Sequence, residues 1–375
     1  MWLSLIGYFQ KIRMRNSLSK IYIGTMSGTS HDGIDICALQ GLTNIQLLSF
    51  KSYKYPRKLR QQISDVIEKK ELGIDHFFAL NKNIGHAFSK SINQFLAHEN
   101  IKKNRVSAIG LSGQTLWHEP KTRYPFSIQA GDPNVVAREC NINVVSDFRN
   151  DHIRLGGEGA PLVPEFHKKI FSRGKNPSFI VNIGGISNFT YLDGLGNFFG
   201  SDCGPGNALM DIYCQKYLEL PFDKRGRFAS AGSIHEPSLK KMLAHQFFRQ
   251  HHPKSTGKEI FNMAFIPKPL LEKPPHDVLA TLTELTAICI ARSISSRKIF
   301  PKEAIVCGGG LKNEFLIQRA GHHAKINFYS SQKYGYDPQA IEAMAFGWMA
   351  QQRIEKKPLA VMDTKGLLGT ITKPK

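Results

Sequence analysis

Gly24-Thr25-Met26-Ser27-Gly28-Thr29-Ser30 and Asn182-Ile183-Gly184-Gly185-Ile186-Ser187-Asn188 decide how this chain reads. Each follows a short apolar run, Ile21-Tyr22-Ile23 in the first half and Phe179-Ile180-Val181 in the second. A strand that ends in glycines and hydroxyls lets backbone N–H groups approach an anion and adds side-chain donors. A hairpin needs only about two turn residues, so the first turn is longer than strand reversal requires. Two such turns in one chain point to two similar domains gripping a phosphate chain.

Outward from the first turn, strands are expected at 21–23, 33–39 and 45–53. Pro56 opens a helix to Lys69, and Asp75 is the expected N-cap of a second helix to Glu99. In that helix Phe77, Leu80, Ile84, Phe88, Ile92 and Phe95 form one stripe. Further strands are expected at 106–111 and 142–145. The second half repeats the plan, with strands at 179–183, 189–192 and 197–200 and a helix capped by Asn207. A long helix at 277–300, a strand at 303–307, a helix capped by Asn313, a strand at 326–329 and a last helix at 338–356 follow. This alternation predicts an α/β fold with mixed sheets. Residues 222–275, rich in Pro, Lys and His, read as an insertion with few periodic patterns.

The chain has 375 residues, enough for two full cores. Its 50 Lys and Arg against 30 Asp and Glu give a net charge of +20, which favours anionic partners. The cations are scattered from Lys11 to Lys375, with no arginine-rich run among aromatics, so nucleic acid is not an expected partner. None of the six cysteines forms a C-x-x-C pair, which argues against zinc and for reduced thiols of a cytoplasmic protein. Residues 1–19 read as an extension outside the fold, and Met14 would also begin a complete protein. No run of about 18 uncharged apolar residues predicts a membrane span.

Polar groups gather where strands end, which is where α/β sheets bind ligands. Asp202, beside Gly204-Pro205-Gly206, reads equally as a general base, a Mg²⁺ holder, or a turn carboxylate accepting backbone N–H groups. Arg149 suits a carboxylate ligand or a local salt bridge. His118, after Trp117, suits a sugar oxygen or a structural role. Gly308-Gly309-Gly310 offers a flat surface for adenosine, and Glu342 faces either a ligand or the helix dipole. No G-x-x-x-x-G-K-[ST], nucleophile elbow or H-E-x-x-H is present.

Gly24 to Asp35 resembles the opening of the anhydro-N-acetylmuramic acid kinase family. Ser112-Gly113-Gln114-Thr115-Leu116-Trp117-His118, Gly156 to Pro164, Asn182 to Asn188 and Asp202 to Asn207 continue the resemblance. So do Lys254 to Glu259, Ala280 to Thr286 and Glu342 to Phe346, so that nearly the whole chain is covered. His31, Glu158, Ser201 and Cys203 stand where leucine, glutamine, phenylalanine and threonine are usual. Cys203 removes a hydroxyl beside Asp202, which bears on rate more than on the reaction.

The resemblance implies an α/β fold of two duplicated actin-like (ribonuclease H-like) domains around a nucleotide cleft. It sets the first domain at 20–145 plus 338–360 and the second at 146–337. It implies a cytoplasmic enzyme of cell-wall recycling that uses ATP with Mg²⁺, its metal ligands undefined, and leaves a homodimer open. ATP would lie at Gly28, Thr29, Ser30, His31, Asp32, Gly33, Ile34 and Asp35, with Gly184 and Gly185 closing on the phosphates. Gly308, Gly309 and Gly310 would line the adenosine. Gln114, His118, Arg149 and Glu342 would take the sugar, and Asp202 would be the catalytic base. An amino-sugar kinase of the same fold, acting on a free hydroxyl, is the alternative.

Overall fold

The computed structural model describes residues 20–28, 31–257, 259–297, 299–361 and 364–374. The expected extension over 1–19, and Thr29 and Ser30 of the first turn, lie outside them. The chain divides into two compact units, one made of residues 20–162 with 342–374 and the other of Val163–Ile341.

In the first unit, β1 (Ile21–Met26), β2 (Gly33–Gln40) and β3 (Gln46–Lys54) form an antiparallel meander. β4 (Val106–Gly110) then joins β1 in parallel. β5 (Gln114–Glu119) and β6 (Phe126–Ala130) make a separate hairpin, and β7 (Val144–Ser146) joins β4 in parallel. The strand Thr370–Thr372 closes the edge, giving the order β3-β2-β1-β4-β7 plus that last strand.

Alternate residues of β1 serve opposite faces. Ile21 and Ile23 share a core with Ile84, Phe88 and Ile92 of the helix Ile74–His98. Full burial of each such side chain contributes roughly 1.5–3 kcal/mol. On the other face the helix Ile341–Ile354 crosses so closely that a Cβ on Gly24 would overlap the Ala343 carbonyl oxygen. A Cβ on Gly110, the register partner of Gly24 on β4, would overlap the Phe346 carbonyl oxygen.

The helix Phe148–Arg154 belongs to the first unit, beyond the boundary expected at 145. Phe148 packs edge-on against Phe346 at 5.6 Å, and Asp151 Oδ2 accepts the Gly369 N–H at 2.6 Å.

The second unit repeats the first. β8 (Ser178–Ile183), β9 (Ile186–Leu192) and β10 (Phe198–Pro205) form the meander, and β11 (Glu303–Cys307) joins β8 in parallel. β12 (Asn327–Ser330) extends β11 in parallel, for the order β10-β9-β8-β11-β12. The same order with the same directions in both units is the duplication expected from the paired turns. The helix Pro275–Ser295 has a mean hydropathy of 1.4 over its most apolar window, long and apolar enough for a membrane span. It is 83% buried there, packed with Phe179, Val181 and Ile183 in the unit's core.

Several local expectations give way. The helix at 74 starts after Gly73, with no side-chain cap. Asp75 sits inside its first turn, where a carboxylate complements the helix dipole. Asn207 stands at an N-cap position without a capping bond, whereas Asn313 Oδ1 does accept the Leu316 N–H at 3.0 Å. The 222–275 stretch holds the short helices Arg227–Ser230, Glu236–Leu243, Gln246–Arg249 and Lys268–Leu271. All six cysteines are buried free thiols.

Candidate active site

The first glycine turn is braced from below. The single Ser27 hydroxyl proton is shared between the Gly33 carbonyl at 2.9 Å and Gln114 Oε1 at 2.7 Å, and Ser27 Oγ accepts from the Tyr55 hydroxyl at 3.1 Å. The Ser27 N–H donates to Ser112 Oγ at 3.2 Å, and Thr25 Oγ1 donates to the Gly110 carbonyl at 3.0 Å. These bonds tie the end of β1 to the segment leading into β5. The Gly28 carbonyl accepts the His31 N–H at 3.1 Å and Gln114 Nε2 at 3.4 Å.

Gln114 is fully buried in this network. Its side chain is bonded to Ser27, Gly28 and Thr115, within the brace of the first glycine turn. His31, at φ 42°, bonds Ser64 Oγ at 2.8 Å through Nε2. Ile34 points into the core at 1% exposure, so only its backbone is available to a ligand. Asp35 accepts from Ser52 Oγ across the β2–β3 pair, Gly33 packs against the Tyr53 carbonyl, and Asp32 is exposed.

His118, Arg149 and Glu342 gather in one region of the same unit. The hairpin carries His118, whose Nδ1 bonds Ser127 Oγ at 2.9 Å. Arg149, in the first turn of the helix Phe148–Arg154, donates from Nη1 to the Gly159 carbonyl at 2.9 Å. A Cβ on Gly159, which has φ +73°, would sit 3.2 Å from both the Arg149 carbonyl oxygen and His118 Cε1. Burial lowers the His118 pKa to about 4, and the Arg149 charge pushes the same way, so the imidazole is neutral at pH 7. Burial also lowers the Arg149 pKa, with the Glu342 charge opposing. A neutral imidazole, a desolvated guanidinium and a carboxylate make a polar surface suited to a sugar that carries an acid.

In the second unit the glycine turns adjoin. The Gly206 and Asn207 N–H groups donate to the Gly185 and Gly184 carbonyls, both at 2.8 Å, and Ala208 N–H to Gly185 at 3.1 Å. The Gly184 N–H donates to the Ile186 carbonyl at 3.2 Å, so that donor is committed within the hairpin. Gly308 has φ +82°, and a Cβ there would overlap Asn182 Oδ1. A Cβ on Gly310 would overlap Ile183 Cγ2. Gly309 meets nothing within 4 Å and is exposed, so packing does not demand its glycine.

Asp202 is half-buried on β10, opposite Asn188, and a bulge follows it before Gly204. Its N–H donates to the Lys254 carbonyl at 3.0 Å, and its Oδ2 accepts the Thr256 N–H at 2.8 Å. Backbone donation to a carboxylate favours the charged form, the form a general base requires. Lys254 is buried at 8% exposure, with its Nζ donating to the Phe247 carbonyl at 3.1 Å. Lys254 and Thr256, which bond to Asp202, are residues that sequence reasoning did not name beside it. The small polar run Lys254-Ser255-Thr256-Gly257 was the available signal.

Residues 20–372 match the family described as anhydro-N-acetylmuramic acid kinase. The chain belongs to that family. An anhydro-N-acetylmuramic acid kinase of Gamma-proteobacterium EBAC31A08 is 46% identical over 360 residues, covering 95% of this chain and 99% of its own length. One of Saccharophagus degradans is 39% identical over 347 residues, covering 90% and 93%. One of Vibrio vulnificus (strain YJ016) is 36% identical over 358 residues, covering 93% and 96%. Among solved structures, the activator of 2-hydroxyisocaproyl-CoA dehydratase from Clostridium difficile covers 91% of this chain at 10% identity with a TM-score of 0.46. The anhydro-N-acetylmuramic acid kinase family thus spans both units, from β1 to the last strand, and includes every residue described above.

Proposed function

We propose that this chain is an ATP-dependent kinase that opens the anhydro ring of 1,6-anhydro-N-acetylmuramic acid and phosphorylates O6. The products are N-acetylmuramic acid 6-phosphate and ADP, formed in the cytoplasm during peptidoglycan recycling. The observation that carries this reading is family membership across residues 20–372.

Asp202 takes a proton from water as the water oxygen bonds to C1. The C1–O6 bond breaks, and O6 takes the γ-phosphoryl as the bond to the β-phosphate oxygen breaks. Ordinary inverting glycoside cleavage uses a second carboxyl to protonate the leaving oxygen. Here phosphorus accepts that oxygen's electrons, so one carboxylate suffices. The Thr256 N–H on Asp202 Oδ2 supports the base assignment by fixing the orientation of the carboxylate.

The Gly28 turn holds phosphate, supported by the brace beneath it, and Gly184, Gly185 and Gly308 to Gly310 serve the nucleotide in the second unit. Arg149 pairs with the lactyl carboxylate, while His118 and Glu342 bond the sugar. Among the described residues no three His, Cys, Asp or Glu side chains converge as a metal site. Mg²⁺ held by nucleotide phosphates and waters fits that arrangement, since it keeps several waters, and it would neutralise phosphate charge.

An ADP-release assay with the anhydro sugar or free N-acetylmuramic acid tests the reading. The anhydro sugar should be consumed to a product heavier by one phosphoryl group and one water. ADP release with only the free sugar would replace it by the free-hydroxyl kinase.

A further inference from the structure

Cys203 and Lys254, which flank Asp202 along the chain and through its backbone bond, also line a cavity of about 480 Å³ made by the second unit alone. Arg249, Arg292, Arg297, His251, His252 and Lys254 line it, and no Asp or Glu does. Arg297 stacks over Phe189 at 5.2 Å and Phe199 at 5.1 Å, with its guanidinium bonded to Ser296 Oγ. Lys254 lies 4.4 Å over the Phe247 ring. Neither forms an ion pair among the described residues.

Cations at a helix C-terminus complement its dipole, which accounts for Arg292 in the last turn of Pro275–Ser295. It does not account for four permanent cations around one cavity. Arg249 and Arg292 are exposed, whereas Lys254 is buried and Arg297 half-buried, and like charges held together out of water are costly without an anion between them. Burial lowers the pKa of Lys254 and of Arg297, with the Asp202 charge opposing the shift at Lys254. Burial, reinforced by the Lys254 and Arg297 charges, holds His252 at about 4.

We propose that this cavity is a second anion site, which takes a phosphate monoester on Arg292 and Arg297 and packs the rest of the ligand against Phe199 and Phe248. The volume lies within the range of small-molecule sites, and two guanidiniums on one cavity wall suit a dianionic phosphate group. The same chemistry occurs in free phosphate, a sugar phosphate and a nucleoside monophosphate.

The test uses the full chain saturated with a non-hydrolysable ATP analogue, so that the nucleotide turns are filled. Inorganic phosphate, glucose 6-phosphate and AMP are each titrated by calorimetry, against chloride at matched ionic strength. The expected result is saturable binding of at least one probe, with the Kd raised at least tenfold in Arg292→Gln and in the Arg292→Gln/Arg297→Gln double variant. ADP release without added probe should be unchanged in Arg292→Gln, whose exposed side chain leaves folding intact. Tightest binding by glucose 6-phosphate assigns the site to sugar phosphates, by AMP to nucleotides, and equal binding to the phosphate group alone. No saturable binding, the same heats with chloride, or an unchanged Kd in Arg292→Gln would overturn the proposal.

Discussion

The backbone N–H of Thr256 donates to Asp202 Oδ2 at 2.8 Å, so a loop distant in sequence holds one oxygen of the assigned base. Asp202→Asn should keep ATP binding and lower kcat by roughly 10²–10⁴-fold, the range of general-base contributions. Thr256→Pro deletes the donor and disfavours the carboxylate. The acid limb of its kcat–pH profile should move upward, while Thr256→Ala, with the donor intact, should leave the limb in place. Equal profiles for the two variants would remove the amide from the mechanism.

Gly309 and Gly310 differ in what holds them. The open surroundings of Gly309 predict that Gly309→Ala shifts Tm by no more than about 2 °C yet raises the KM for ATP several-fold. Gly310→Ala drives a methyl into Ile183 and should cost about 1–3 kcal/mol in denaturant unfolding.

Arg149 bonds the Gly159 carbonyl through one nitrogen and leaves a planar fork to recognise an acid. Arg149→Lys keeps the charge and loses the fork. The KM for the anhydro sugar should rise roughly 10-fold or more, as for a lost charge-assisted bond, with the KM for ATP unchanged in initial-rate assays. A matched rise in both constants would place Arg149 outside sugar recognition.

His167 is buried at 3% exposure, with Nδ1 on Thr190 Oγ1 at 2.8 Å and Nε2 lacking a partner among the described residues. Burial drops its pKa from 6.5 to about 3. Between those values the unfolded chain holds the extra proton, so stability rises with pH and is lost as pH falls below 6.5. The contribution approaches about 1.4 kcal/mol per pH unit for one such group. Urea midpoints measured at pH 7.5 and 5 should therefore drop on acidification, and less steeply in His167→Gln.

The duplicated sheets were legible because central strands such as β8 are buried at every position and read as plain apolar runs. The hairpin β5–β6 and the strand Thr370–Thr372 were not, since short strands with polar positions carry no such run. The helices within 222–275 are too short to display a periodic stripe. In the site, Asp202 and the glycine turns stood out by composition. Lys254 did not, because a lysine reads as a surface residue, and its burial rests on the rings of Phe247 and Phe248 and on the Phe247 carbonyl. Gly24 stands in the same quoted turn as Gly28, yet its bareness admits the crossing helix, a contact between distant segments that the sequence does not display.

That bare crossing has a mechanical meaning. Where Gly24 and Gly110 meet Ala343, Phe346 and Gly347, main chain rests on main chain with no side-chain cushion to compress. Helix Ile341–Ile354 is thereby indexed like a gear tooth, unable to slip by a fraction of a turn. The backbone of Glu342 at its head inherits the sheet's own stiffness, so that carboxylate is repositioned by turning about its own bonds and not by a shift of the helix along β1.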